Sequence, residues 1–143
     1  MSEQTSFCTF RVGNMRLGVE VNRVQEVLRG QTMTRVPGAH EVVRGLMNLR
    51  GQIVTALDLQ KRLGLTSADD RQPVMNVVVR TSEVPVSLLV HEIGDVVVVD
   101  GELFEPLPET LQGVHRDYIR GAYKLERELL LVLNTDAVMK VAA

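Results

Sequence analysis

The sequence predicts an all-β protein with short helices, folded as two compact antiparallel barrels that pack together. Three observations predict this class. The strand-like segments are short and evenly spaced, no helical segment is long enough to cross between parallel strands, and one stretch of the chain occurs twice. Aromatic residues make up only 3% of the 143 residues. We therefore expect an aliphatic core, which suits β-branched side chains on pleated sheets.

The repeat relates residues 42–58 to residues 118–134 at a constant offset of 76, as Gly45 and Gly121 show (121 − 45 = 76). An Arg-Gly pair lies near the start of both copies, and the apolar positions that follow keep their class. Such a repeat indicates two copies of one small β-rich unit rather than one domain around a central active site. A protein of this kind is expected to act through its surfaces.

We expect one domain over residues 1–143 that contains two subdomains, the first near residues 15–65 and the second near residues 74–134. The polar and turn-rich segment 66–73 is the predicted linker between them. Whether the terminal segments exchange between the two subdomains is left open by the sequence.

A hairpin is predicted near the start, because apolar and polar side chains alternate on both sides of a Gly13-Asn14 turn. The same unit then continues with short elements bounded by glycine and proline. These further predictions are a strand over 32–36, two strands within 46–59 joined at Arg50-Gly51-Gln52, and a helix over 58–64 with Asp58 as N-cap and Gly64 as terminator.

Apolar residues recur at a spacing of three to four within residues 22–28, which predicts a short helix there. A weaker match at an offset of 69 relates residues 19–27 to residues 88–96 (88 − 19 = 69). A tight turn or short helix is therefore predicted again at residues 91–95.

The second half predicts a meander followed by the repeated strand pair. Valine-rich segments bounded by polar turns indicate its strands. The predicted elements are strands over 74–80, 84–90 and 95–100, a loop or brief helix over 101–112, strands over 118–125 and 128–133, and a closing helical turn capped by Asn134.

Composition excludes several classes of function. The formal net charge is −2, so the chain has no basic field of the kind that collects nucleic acid. The single cysteine, Cys8, has no partner for an internal disulfide, and the first residues lack the pattern of a secretory signal. No apolar run approaches the roughly 20 residues that cross a bilayer. We expect a cytoplasmic protein without direct membrane insertion.

Signatures of catalysis and of cofactor or metal binding are absent from the sequence. It contains no phosphate-binding glycine loop, no His-Glu-x-x-His pair and no Gly-x-Ser-x-Gly elbow. His40, His91 and His115 lie far apart without ligands at metal spacing, and are interpreted as surface or packing residues. Cys8 has no paired base and is interpreted as a buried, unreactive thiol. We expect a protein that is not an enzyme and has no cofactor.

Four ordered blocks carry a resemblance to a known family. They are Val24-Gln25-Glu26-Val27-Leu28, Val36-Pro37-Gly38-Ala39, Arg44-Gly45-Leu46-Met47-Asn48-Leu49-Arg50-Gly51, and Asp58-Leu59 followed by Arg62-Leu63-Gly64. In order and spacing they resemble the CheW family of bacterial chemotaxis coupling proteins, whose fold also occurs as the regulatory domain of the CheA histidine kinase. The resemblance extends from Phe7 to Met139, and the Asn-Leu-Arg-Gly block is its most specific part.

This resemblance implies a pair of five-stranded SH3-like barrels around a shared apolar seam, without catalytic activity. It also implies that the protein couples methyl-accepting chemotaxis receptors to the regulatory domain of CheA and is recruited to membrane receptor arrays. The receptor-binding residues that it implies are Val24, Glu26, Val27, Gly45, Asn48, Leu49, Arg50 and Gly51.

The residue types in this set allow two interpretations. An aliphatic groove with a Glu and an Arg at its rim suits a helical partner with an apolar stripe. Valines and leucines at such spacing are also common in ordinary cores. Gly45 and Gly121 are better explained by backbone geometry or close barrel packing than by contact with a partner.

The chain departs from the family pattern at His40, Val42 and Thr55, which border the groove, and at His91-Glu92 in the second lobe. These departures leave the choice of receptor and the position of the kinase contact open. Two other functions remain alternatives to chemotaxis coupling. One is a CheW-like adaptor in a non-chemotactic receptor–kinase pathway, such as surface motility or second-messenger control, and the other is a small-ligand-binding β-barrel.

Overall fold

The computed structural model describes residues 3–65, 71–111 and 114–140. It is built from ten strands and two short α-helices, with three single turns of 3-10 helix at Val21–Arg23, Gly101–Leu103 and Arg116–Tyr118. The strands are β1 (Gln4–Val12), β2 (Met15–Glu20), β3 (Val24–Arg29), β4 (Val43–Leu49), β5 (Gln52–Asp58), β6 (Met75–Val79), β7 (Val86–Val90), β8 (Glu92–Asp100), β9 (Ile119–Lys124) and β10 (Leu129–Leu133), and the helices are α1 (Leu59–Leu63) and α2 (Thr135–Met139).

The strands form two five-stranded sheets of the same topology. One has the order β8-β1-β2-β10-β9 and the other has the order β3-β6-β7-β5-β4. The predicted class, mostly β with two five-stranded units and short helices, is confirmed. Each sheet also contains one parallel pair, β2 with β10 and β5 with β7, which the prediction of antiparallel barrels did not include.

Each sheet draws strands from both halves of the chain, since β1 and β2 join β8–β10 in one and β3–β7 form the other. The subdomain limits near 15–65 and 74–134 stay a prediction. Residues 66–70 of the predicted linker lie outside the described residues. Both α-helices have five residues, and in the described ranges no helix is long and apolar enough to cross a membrane.

The short helix predicted over residues 22–28 is wrong. Residues 24–29 form strand β3, and only Val21–Arg23 makes a helical turn. The register shifts between Val24 and Glu26, which pair with Val79 and Val78 of β6, so β3 carries one extra residue there. This bulge places Val24 and Val27 on one face of the strand. Their spacing of three therefore imitates a helical period.

The turn or short helix predicted at residues 91–95 is wrong for the same reason. Glu92–Asp100 is the continuous strand β8, and its register with β1 shifts between Cys8 and Phe10. Ile93 and Val96 are opposite Phe10 and Cys8, so they too share one face across a bulge. The weak match at an offset of 69 thus relates two bulged edge strands, β3 and β8.

One backbone bridge closes each sheet into a barrel. Thr34, in the segment after β3, exchanges two hydrogen bonds of 2.8 Å with Leu46 of β4. Glu105, in the segment after β8, does the same with Ala122 of β9, at 2.9 and 2.8 Å. We call these the closing bridges. The strand predicted over residues 32–36 is reduced to its bridge, and the segment 101–112 contains the other.

The glycine of each Arg-Gly pair lies directly under a closing bridge. A β-carbon added to Gly45 would lie 2.7 Å from the carbonyl oxygen of Thr34, and one added to Gly121 would lie 2.6 Å from that of Glu105. Real β-carbons essentially never come this close to a backbone oxygen. The repeated glycine is therefore required by barrel closure.

Local signals of the sequence are confirmed in the short elements. The N-terminal hairpin pairs β1 with β2, and the repeated segments form the equivalent hairpins β4–β5 and β9–β10. Asp58 caps α1 by accepting from the amide of Lys61, and Gly64 ends that helix in the left-handed conformation. Asn134 caps α2 by accepting from the amide of Ala137.

Three apolar clusters hold the two barrels together. The largest is a seam between the sheets, with Phe10, Leu17 and Leu131 from one and Leu57 and Leu88 from the other, all at most 3% exposed. Each barrel also has a small cluster of its own. Phe7, Tyr123, Leu130 and Val132 form one, and Met47, Leu49, Val54 and Val78 form the other.

An ion-pair cluster ties the β9–β10 connection to the N-terminal hairpin. Oε2 of Glu128 accepts hydrogen bonds from Arg11 at 2.8 Å and from Arg16 at 3.2 Å. Burial alone raises the pKa of Glu128, but the hydrogen bonds and charges of the two arginines outweigh it and lower the pKa below its ordinary value of 4.5. Folding therefore gains stability from this carboxylate above pH 4.5, and loses it as the pH falls through the lowered pKa.

Replacing Glu128 by glutamine is expected to lower the free energy of unfolding near neutral pH by up to about 1 kcal/mol, because the cluster is partly exposed. Below the ordinary pKa of a glutamate the difference from the unmodified protein should shrink. Urea unfolding across the range from about pH 7 to pH 3 measures both. The control is Glu126→Gln, two residues away and exposed. A difference that stays constant over the whole pH range would contradict the assignment.

Candidate functional site

The structure brings part of the predicted receptor-binding set together on one barrel. Val24, Glu26 and Val27 lie on β3, whereas Asn48, Arg50 and Gly51 lie at the tip of the β4–β5 hairpin. In the sheet order β3 and β4 are at opposite ends. Closure of the barrel brings these ends together, and Nη1 of Arg50 donates a hydrogen bond to Oε2 of Glu26. We call this contact the Glu26–Arg50 pair.

The turn that carries Arg50 is fixed by its own residues. Arg50 has φ 53° and Gly51 has φ 85°, which corresponds to the type I′ turns that join two antiparallel strands. The side-chain oxygen of Asn48 accepts a 2.8 Å hydrogen bond from the amide of Gly51. Among the described residues, Arg50 is the one non-glycine residue with positive φ. A side chain held in this unfavourable backbone region points to a role other than packing.

Exposure is divided unequally between the two charged partners. The side chain of Arg50 is 73% exposed, whereas that of Glu26 is 16% exposed. The hydrogen bond from Glu26 and its negative charge raise the pKa of Arg50 above its ordinary value. Arg50 therefore stays charged, and its guanidinium extends into solvent from a well-defined position.

The remaining predicted residues differ in accessibility. Val27 is 39% exposed and Val24 is half-buried against the seam, so both flank the pair with apolar surface. Leu49 is 9% exposed and belongs to the inner cluster of its barrel. Gly45 lies under the closing bridge. The structure therefore separates surface members of the set from members that shape the barrel behind them.

One exposed apolar residue beside the pair was missed by the sequence analysis. Ile53 of β5 is opposite Asn48 in the hairpin register and is 54% exposed. It lies in the repeated block, where the pattern predicted only a strand. Its alternation with buried Val54 was the available signal that it faces outward.

The histidines and the cysteine have structural surroundings. His91 is 7% exposed, its Nδ1 accepts from the amide of Gly13 at 3.1 Å, and its Nε2 lies 3.0 Å from the carbonyl oxygen of Arg71. Burial raises the pKa of the Cys8 thiol above its ordinary value, which lowers its thiolate fraction. In the described part of the chain, no three His, Cys, Asp or Glu side chains are grouped as metal ligands would be.

The largest cleft, of 980 Å³, is open and polar and contains none of the eight predicted residues. Its arginines are engaged within the protein. Arg23 binds Thr135 and Asp136 at 2.9 and 3.1 Å, and Arg80 donates to the carbonyl oxygens of Asn22 and Val24 at 3.1 and 2.8 Å. This cleft therefore does not offer the converging acid and base groups of an enzyme site.

Comparison with known proteins adds the family. The model of the CheW-like domain matches residues 6–143. A probable chemotaxis protein CheW of Rhizobium etli is 27% identical over 129 residues, which cover 90% of this chain and 83% of that protein. Chemotaxis protein CheW of Bacillus subtilis is 29% identical over 130 residues, covering 91% and 83%.

A solved structure shares the fold. The scaffolding protein TtCheW from Thermoanaerobacter tengcongensis has a TM-score of 0.86 to this chain at 22% sequence identity, covering 97% of this chain and 94% of that one. Two five-stranded barrels with a common apolar seam and an ion-paired hairpin turn on the surface define the class of paired-barrel domains. Within that class, the chain belongs to the family of CheW-like domains, as its sequence blocks predicted.

Proposed function

We propose that this protein is a non-enzymatic scaffold of bacterial chemotaxis, which couples methyl-accepting receptors to the regulatory domain of the CheA histidine kinase. The Glu26–Arg50 pair, on a strained and exposed turn of a CheW-like domain, carries the proposal. The names of its relatives, chemotaxis proteins and a scaffolding protein, support it. In this role the protein works in the cytoplasm at membrane receptor arrays, without membrane insertion, bound nucleic acid or cofactor.

The proposed receptor surface combines apolar area with one oriented charge. Val24 and Val27 supply apolar area on β3, and Arg50 supplies a cation that Glu26 holds in place. A helical hairpin can lay an apolar stripe on such a surface while the guanidinium fixes its register. We further propose that Asn48 and Gly51 set the turn, and that Gly45 and Leu49 shape the barrel behind it.

A scaffold must bind two partners at once, so the second one needs its own surface. The chain has two barrels of the same topology, and the kinase's regulatory domain shares the implied fold. We propose that the kinase domain docks on a barrel surface that leaves the Glu26–Arg50 pair accessible. The kinase and the receptor should then bind together without competing.

Co-sedimentation with receptor cytoplasmic tips in membranes, with and without the CheA regulatory domain, tests this function. We expect the protein to sediment with the tips alone, and the kinase domain to sediment only when this protein is present. Arg50→Glu should remove the protein from the pellet in both arms. Failure of the unmodified protein to bind the tips, or displacement of the tips by the kinase domain, would contradict the proposal.

A further inference from the structure

Strand β8 leaves an apolar edge in solvent. It pairs with β1 on one side, and none of the described strands pairs with its other side. Its outward row consists of Ile93, Val96 and Val98, which are 38%, 58% and 56% exposed. A nine-residue edge strand with exposed valines is a ready template for a further strand.

The equivalent edge of the other barrel has a different charge. At the offset of 69, Val27 corresponds to Val96 and Glu26 corresponds to Asp95 (27 + 69 = 96; 26 + 69 = 95). Glu26 is paired with Arg50, but the position that corresponds to Arg50 at the offset of 76 is Glu126 (50 + 76 = 126). Within the described ranges no salt bridge reaches Asp95 or Glu126. The β8 edge therefore has the same apolar row with uncompensated negative charge.

The opposite end of the valine run is acidic as well. Asp100 ends β8 immediately after Val99, and its carboxylate caps the following turn by accepting from the amide of Glu102 at 2.9 Å. Glu20 contributes to the same field, since burial first, and then the charges of Glu20 and Asp100, raise the pKa of Tyr123. Four valines, Val96–Val99, thus lie between two carboxylates at positions 95 and 100.

This charge pattern disfavours a second copy of the chain as the occupant. Every antiparallel register centred on Val97 or Val98 places Asp95 of one copy opposite Asp100 of the other, or one residue away from it, at both ends. Like charges across strands are destabilising, and natural edge strands use charge to prevent self-association. A strand with cations at the same two positions would gain attraction at both ends instead.

We infer that the β8 edge binds an extended segment of a protein partner in which two Lys or Arg residues flank a short apolar stretch of four residues. The segment adds as an antiparallel strand next to β8, with its cations opposite Asp95 and Asp100 and its apolar side chains against Val96 and Val98. This surface is separate from the Glu26–Arg50 pair, so the inference does not depend on the receptor proposal.

The test uses two capped peptides, each with alternating valine and threonine at the four central positions. One has lysine at both flanks and the other has glutamate. We expect the lysine peptide to bind saturably in an NMR titration, with shifts and slowed amide exchange concentrated in residues 95–100, and the glutamate peptide to bind at least fivefold more weakly. Arg50→Glu should leave this binding unchanged.

A charge reversal separates strand addition from general attraction. Asp95→Lys should weaken the lysine peptide about fivefold and strengthen the glutamate peptide. Glu83→Lys, an equal change in charge at an exposed residue before β7 in the other sheet, should change neither. Equal binding of both peptides, shifts on β3 instead of β8, or concentration-dependent dimers of the unmodified protein through β8 would each overturn the inference.

Discussion

Replacing Gly121 by alanine is expected to lower the free energy of unfolding by about 2–3 kcal/mol, the largest loss of any single methyl group added to this chain. The added carbon would lie 2.6 Å from the carbonyl oxygen of Glu105 and 2.8 Å from Cε1 of Phe104. The phenyl ring can turn away, but the carbonyl is held by the closing bridge to Ala122. Relief therefore requires the bridge to lengthen and the barrel to open.

Denaturant unfolding at equilibrium measures this loss, and Gly45→Ala should behave in the same way at the bridge to Thr34. Gly38→Ala is the matched control, because Gly38 has a φ of 78° with nothing within 4 Å of the added carbon. It isolates the strain of a left-handed residue, which is about 1 kcal/mol. If Gly121→Ala were no more destabilising than Gly38→Ala, close packing at the bridge would not be the reason for the repeated glycine.

Replacing Arg50 by glutamate is expected to abolish binding to receptor tips while leaving the protein folded. The change removes the exposed guanidinium and puts a second carboxylate beside Glu26. Arg50 is 73% exposed, so the melting temperature should fall only slightly. Co-sedimentation measures binding, and circular dichroism during heating measures stability.

Two further variants separate the charge from the position of the turn. The exchange Glu26→Arg with Arg50→Glu can restore an ion pair, so it should restore the melting temperature without restoring binding. Arg127→Glu changes an exposed arginine in the corresponding turn of the other barrel and should bind normally. Normal binding by Arg50→Glu would show that the Glu26–Arg50 pair serves the fold rather than the receptor.

The parts of this structure that could be predicted depend on neighbours in sequence. The hairpins, the cap at Asp58 and the terminator at Gly64 follow from residues within a few positions of one another. The helix predicted over residues 22–28 was wrong because a bulge in β3 gives its valines a helical spacing. A bulge is stabilised by pairing with a distant strand, here β6, and leaves no local sign that distinguishes it from a helical turn.

By itself, the sequence determined that this chain folds as two copies of a β unit, where its hairpins turn, and which glycines recur. Tertiary structure alone decided that the edges of each sheet meet through a single bridge, that Glu26 contacts Arg50 from 24 residues away, and that β8 keeps a free apolar edge. The physical reason is one of range. Turns and caps are set by local backbone geometry and hydrogen bonds, whereas register, closure and exposure depend on strands that meet only in the folded chain.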